Sequence, residues 1–143
     1  MKAQLLVDTA RELLGTPWQH QGRVGGLALD CAGVPVYVGK KLGVSLEDFT
    51  NYGRLPVPIE MKAALDKNLI RVGKNEMQLG DVAWIRFDRA PQHLALIGNY
   101  LYGGFTLIHA YNGAGLNRVV EHRLDDMWLA RIVGVWRYPG VES

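Results

Sequence analysis

The chain reads as an α+β domain in which N-terminal helices pack on an antiparallel β-sheet. Apolar residues recur at helical spacing early in the chain, and after Gly80 they alternate with a period of two. Helices first and strands second is the order of an α+β fold rather than of alternating βα units. With 143 residues, 48% of them hydrophobic and 21% charged, residues 1–143 form one domain with a core that needs no staples. Disorder, a fibrous repeat and a disulfide scaffold are excluded by the same composition.

The first helix is expected over residues 2–14, where Leu6, Ala10, Leu13 and Leu14 form a stripe, and it stops at Gly15 and Pro17. Trp18 to Leu29 reads as a loop broken by Gly22, Gly25 and Gly26. Asp30 is the expected N-cap of a second helix with Val34, Val38 and Leu42 on one face and Gly43 as its stop. Asn51 to Pro58 reads as a connector, and Ile59, Ala63 and Leu65 mark a short helix over residues 59–67. The expected strands are Asp81–Phe87, His93–Gly98, Phe105–Ala110, Arg118–Arg123 and Arg131–Tyr138.

Net charge is +2 and the basic residues are scattered, so no nucleic-acid footprint is present. No apolar run is long enough to span a membrane, and the run at Met1–Asp8 is too short for a signal peptide. The expectation is synthesis in the cytoplasm, with export by another route if the protein acts outside.

Cys31 is the single cysteine of the chain, in the run Leu29-Asp30-Cys31-Ala32-Gly33. It can close no internal disulfide and supply no multi-thiolate zinc site, which leaves a buried structural thiol, a reactive thiol or a mixed metal ligand. The mixed site lacks any close ligand pair such as CxxC or HExxH, so no metal and no cofactor is expected. A small buried residue is the commoner use of a lone cysteine. Its place at a helix start, after a glycine-rich loop, favours a thiolate and offers backbone N–H groups to an oxyanion.

His93 and His109 flank the loop Asn99–Gly104, which reads as a hairpin connection. Their positions sum to within one of the loop's ends, so within one residue of register they face each other across two strands. One imidazole then fixes the tautomer of the other, as in a nucleophile–base–orienter triad. His122, between Glu121 and Arg123, reads as a solvated strand residue, and Trp84 and Trp136 as core or cleft wall. His20, after Trp18 and Gln19, either lines a cleft or faces solvent.

Six segments resemble the NlpC/P60 family of papain-like cysteine peptidases, in particular the compact type encoded by phages and prophages. They are Leu14-Gly15-Thr16-Pro17-Trp18, Leu29-Asp30-Cys31-Ala32-Gly33, Leu79-Gly80-Asp81-Val82-Ala83-Trp84, the strand starting at His93, Ile108-His109-Ala110 and Gly134-Val135-Trp136-Arg137. Each is weak alone, but they occur in family order and cover nearly the whole chain. The resemblance implies a papain-like fold and hydrolysis of amide bonds in peptidoglycan stem peptides. It makes Cys31 the nucleophile, His93 the base and acid, and His109 the orienting residue. It also implies a place in a phage virion, with tail proteins as partners and the bacterial cell wall as the site of action. Two departures stand out. Trp18 occupies the place of the family's oxyanion-stabilising tyrosine, leaving Trp18, Gln19, His20 and Asp30 as oxyanion or cleft candidates. Pro35 falls where an aliphatic residue is usual, and in a helix that already includes Cys31 it would remove a donor and crowd the Cys31 carbonyl. Two rival readings are a non-catalytic tail or wall-binding module of the same fold, and a thiol acyltransferase or amidase acting on another acyl donor.

Overall fold

Alternation after Gly80 builds five strands of a sheet whose sixth strand, Ile70–Val72, precedes Gly80. Among the described residues the sheet is six-stranded and fully antiparallel. Its strands are β3 (Ile70–Val72), β4 (Val82–Arg86), β5 (Pro91–Asn99), β6 (Phe105–Gly113), β7 (Leu116–Arg123) and β8 (Ile132–Arg137), in the spatial order β3-β8-β4-β5-β6-β7. The computed structural model describes residues 1–44, 58–87, 90–113 and 115–142. The connector expected at Asn51–Pro58 lies outside the described residues except for Pro58 itself.

Three helices, α1 (Ala3–Arg11), α2 (Gly33–Leu42) and α3 (Pro58–Asn68), pack on one face of the sheet. There Leu6, Ala10, Val34 and Val38 meet Leu94, Leu96, Ile108 and Trp136 in the larger core. The other face carries Ala95, Ile97, Leu107 and Val135, with Phe105 and Trp128 packed against them. Trp128 comes from a short fourth helix, α4 (Asp126–Arg131), whose N-cap Asp125 accepts a hydrogen bond from the Trp128 N–H at 2.9 Å. Two-sided burial gives β5 a run of six buried residues, His93–Gly98, instead of a simple alternation.

α1 ends at Arg11, earlier than its apolar stripe suggests, because the chain beyond it joins the sheet edge. Gly15 N–H donates to Val119 O at 2.9 Å, Val119 N–H to Thr16 O at 2.9 Å and Trp18 N–H to Asn117 O at 2.8 Å, so residues 15–18 line β7. An otherwise unpaired edge is thereby covered. The segment read as pure loop contains a small hairpin, β1 (Arg23–Val24) with β2 (Ala28–Leu29). Among the described residues no helix is long and apolar enough to cross a membrane.

Pro35 is explained by where α2 begins. The helix starts at Gly33, two residues later than an Asp30 cap implies, so Pro35 is its third residue. No N–H in the first turn has an intrahelical partner, and proline there loses nothing. Its carbonyl accepts the buried Tyr138 hydroxyl at 2.6 Å. At the far end Gly43 takes φ 72°, the left-handed conformation of a C-terminal stop.

Candidate active site

Cys31 sits just ahead of α2, 8% exposed, and its position is set by Asp30. The Asp30 carboxylate is itself 3% exposed and gathers donors from the loop and from the helix start. Oδ1 accepts from the Gly33 N–H at 2.9 Å and from Arg23 Nη1 at 2.8 Å, and Oδ2 accepts from the Gln21 N–H at 2.9 Å. The last bond holds Gln21 at φ 57°, in the left-handed region. The loop and helix approach so closely that a Cβ on Gly33 would overlap the Gly22 carbonyl. Asp30 is therefore an acceptor that clamps the loop to the helix start, not a donor for an oxyanion.

The sulfur lies where two strands part. β5 and β6 pair from Leu96–Ile108 to Asn99–Phe105, while β5 remains paired with β4 as far as Pro91. Ile97 turns its N–H and C=O toward β4, bonding Asp81 O at 2.8 Å and the Gly80 N–H at 2.7 Å. By strand alternation the backbone groups of Gln92 and Leu94 point the other way, toward β6. Cys31 Sγ occupies that side: it donates to Gln92 O at 3.9 Å and accepts from the Leu94 N–H. The thiol thus stands in for a stretch of β6, on the strand that carries His93.

His93 and His109 are 5% and 0% exposed, and His93 Nε2 lies 2.6 Å from His109 Nδ1. The expected direct opposition is corrected by the register. Asn99 pairs with Phe105 and Leu96 with Ile108, which sets His109 as a diagonal neighbour of His93 on the same face. Diagonal neighbours lie within reach of long and aromatic side chains. His122 does not face open solvent as expected: its Nε2 lies 2.8 Å from His109 Nε2, and its Nδ1 lies 3.1 Å from Arg123 O. Trp128 covers the row, 5.5 Å from the His109 ring and 5.0 Å from that of His122, and Phe87 stands 4.8 Å from His93.

Among the other candidates, Trp18 is half-buried against the main core and Gln19 is exposed, its N–H bonded to Leu29 O at 3.1 Å. His20 is half-buried in the turn that follows. This loop is thus tied to the backbone two residues before Cys31.

Electrostatics also correct the expected low-pKa thiol. Burial, followed by the Asp30 charge, pushes the Cys31 thiol up to about 12 against the pull of the Leu94 and Ala32 N–H groups and of Arg23. Burial and then the neighbouring His122 bring His93 down to about 3. Burial and the other two imidazoles hold His109 well below the usual histidine value. A neutral thiol on Cys31 and a neutral imidazole on His93 are the resting state. In that state the proton leaves sulfur as attack begins, so the base must present a lone pair.

Phe87, Trp128 and His122 join the site without a sequence expectation that places them there. Period two in β7 does set His122 on the face opposite Glu121 and Arg123, and Asp125 ahead of Trp128 carries an N-cap signal.

No family model and no curated protein matches the chain by sequence. Solved structures do match. An NLP/P60-family protein similar to a lipoprotein, from Staphylococcus aureus subsp. aureus Mu50, aligns with TM-score 0.62 at 22% identity, covering 99% of this chain and 42% of its own. The NlpC/p60 domain of the peptidoglycan hydrolase SagA aligns with TM-score 0.66 at 19% identity, covering 95% of this chain and 98% of its own. The chain thus spans about two-fifths of the first of these proteins and nearly all of the second domain. The mixed α+β architecture with its antiparallel sheet, together with these likenesses, identifies the fold: the chain has the NlpC/P60 fold.

Proposed function

We propose that the chain is a cysteine peptidase that hydrolyses amide bonds in peptidoglycan stem peptides. The observation that carries this reading is the joint placement of Cys31 Sγ on the Gln92 carbonyl, at 3.9 Å, and of the adjacent His93 on His109, at 2.6 Å. The substrate class is supported by the fold likeness to a domain of a peptidoglycan hydrolase. Delivery by a phage tail belongs to the same proposal and rests on the sequence resemblance.

In this mechanism His93 Nδ1, the ring nitrogen not engaged with His109, takes the thiol proton while Sγ attacks the amide carbonyl carbon. The oxyanion is received by backbone N–H groups at the nucleophile and by a side chain of the Trp18–His20 loop, with His20 proposed as donor. His93 passes the proton to the leaving amine, which departs and leaves a thioester on Cys31. Water, deprotonated by the same nitrogen, attacks the thioester, and the product carboxylic acid leaves as the thiol is restored. The Asp30 clamp and the β5 backbone fix the sulfur, and His109 fixes the base.

Purified cell-wall sacculi incubated with the protein should release fragments whose masses show one new amine and one new carboxylate per cut. Cys31→Ala should abolish release while its thermal transition stays cooperative. Intact sacculi of every wall chemistry tried, with a folded wild-type protein, would remove the hydrolase reading.

A further inference from the structure

His122 closes a row of three imidazoles whose hydrogen bonds run in a single direction. Its Nδ1 meets Arg123 O at 3.1 Å. A carbonyl only accepts, so Nδ1 carries the proton and, in the neutral ring, Nε2 is an acceptor. The 2.8 Å contact between His122 Nε2 and His109 Nε2 therefore needs a proton on the His109 side. That leaves His109 Nδ1 as an acceptor, and the 2.6 Å contact with His93 needs its proton on His93 Nε2. His93 Nδ1 is then the bare nitrogen, the one that must receive the proton of Cys31. We propose that His122 is a positioning residue for this reaction, and that its bond to the Arg123 carbonyl selects, through His109, the base-competent tautomer of His93.

Without His122, the two remaining rings form an equally good pair with both tautomers reversed. In that arrangement His109 Nδ1–H donates to His93 Nε2, and His93 Nδ1 carries a proton and cannot act as a base. The strand geometry supplies what breaks the tie. His122 pairs with Leu107, and His109 with Val120, in the β6–β7 register. Both histidines thus rise on the same face as His93, with Trp128 covering them. Arg123 O belongs to the residue next to His122 in the chain, so the reference acceptor is backbone and does not change with side-chain packing.

The effect on turnover rests on the hydrolase reading, whereas the tautomers do not, and the test separates the two. Two-bond proton–nitrogen spectra of the 15N-labelled wild-type protein should show His93 and His109 protonated at Nε2 and His122 at Nδ1. His122→Lys offers donors only and reverses the row: His93 should appear protonated at Nδ1. On soluble stem peptides prepared from sacculi, kcat should then fall by roughly 10²-fold or more at nearly constant KM, since a wrong-tautomer base in a comparable triad costs up to about 10⁴. His122→Gln, whose amide oxygen can accept from His109, should restore the His93 tautomer and most of the turnover that His122→Lys loses. His93 protonated at Nδ1 in the wild type would overturn the proposal, and so would equal kcat in the two variants. If the wild type cleaves no stem peptide, the hydrolase reading falls, and the wild-type tautomers alone decide this one.

Discussion

Replacing Asp30 should weaken the fold and sharpen the thiol at the same time. Its buried carboxylate holds Arg23 at 2.8 Å and the N–H groups of Gln21 and Gly33 at 2.9 Å each. Asp30→Ala leaves a guanidinium that is only 14% exposed, and two N–H groups, without this acceptor. Removing one partner of a buried ion pair costs about 3–5 kcal/mol. In a domain of this size each kcal/mol moves Tm by about 2–4 °C, so the melting transition should fall by roughly 6–20 °C. Asp30→Asn keeps the shape and one acceptor oxygen, and should fall by less. The Asp30 charge also raises the Cys31 pKa, so both variants should bring the midpoint of the alkylation rate against pH downward. Calorimetry and iodoacetamide kinetics on the same samples give both readouts. A Tm within about 2 °C of wild type for Asp30→Ala would refute the clamp. A midpoint that stays put or rises would refute the electrostatic assignment.

Tyr138→Phe removes the hydroxyl that meets Pro35 O at 2.6 Å in the core and should cost about 1–3 kcal/mol, read as a shift of the urea midpoint at constant m-value. Gly33→Ala should cut sacculus cleavage sharply, because the added methyl overlaps the Gly22 carbonyl and forces the loop off the helix start beside Cys31; unchanged cleavage would refute that contact. Stability should depend on acid through the buried imidazoles. His93 is brought down to about 3 by burial, while a free histidine titrates near about 6.5. Below the free value the unfolded chain binds a proton that the folded chain refuses. The contribution is thus complete above about pH 6.5, declines with acid and is gone near pH 3. Urea midpoints taken downward from neutral pH should fall in that window, and His93→Gln should flatten the slope.

The five main strands were legible because period two is a strong signal where one face meets helices. β3 was not, since its three residues are mostly exposed and carry no alternation. α4 has six residues, too few for a helical stripe to show. The hairpin register was read to within one residue. The loop closes with the Tyr100 N–H on Gly104 O at 3.0 Å, so pairing starts at Asn99–Phe105, a shift that converts an opposed histidine pair into a diagonal one. The face the two histidines share was legible from alternation. The acidity of Cys31 is not legible, because a helix-start cysteine looks solvated in sequence, while burial and the Asp30 carboxylate are tertiary facts. The place of His122 is hidden because charged neighbours in sequence suggest solvent, although in a strand they point to the other face.

Sheet order has a consequence for how the chain assembles. β4 to β7 follow one another as successive hairpins, so all three histidines belong to one contiguous meander whose contacts are short in sequence. β3 is different: its sheet neighbour among the described residues is β8, nearly half a chain length later. During synthesis the histidine row can therefore form before residues 132–137 exist, whereas β3 stays unpaired until they arrive. Cys31 is a third case, reaching Gln92 across 61 residues of chain. Loop closure makes that contact entropically dearer than any within the meander, and it needs α2 docked. The histidine row and the docking of Cys31 thus belong to separate events in the folding of one domain, and substitutions at the α2–sheet contact should slow the second while sparing the first.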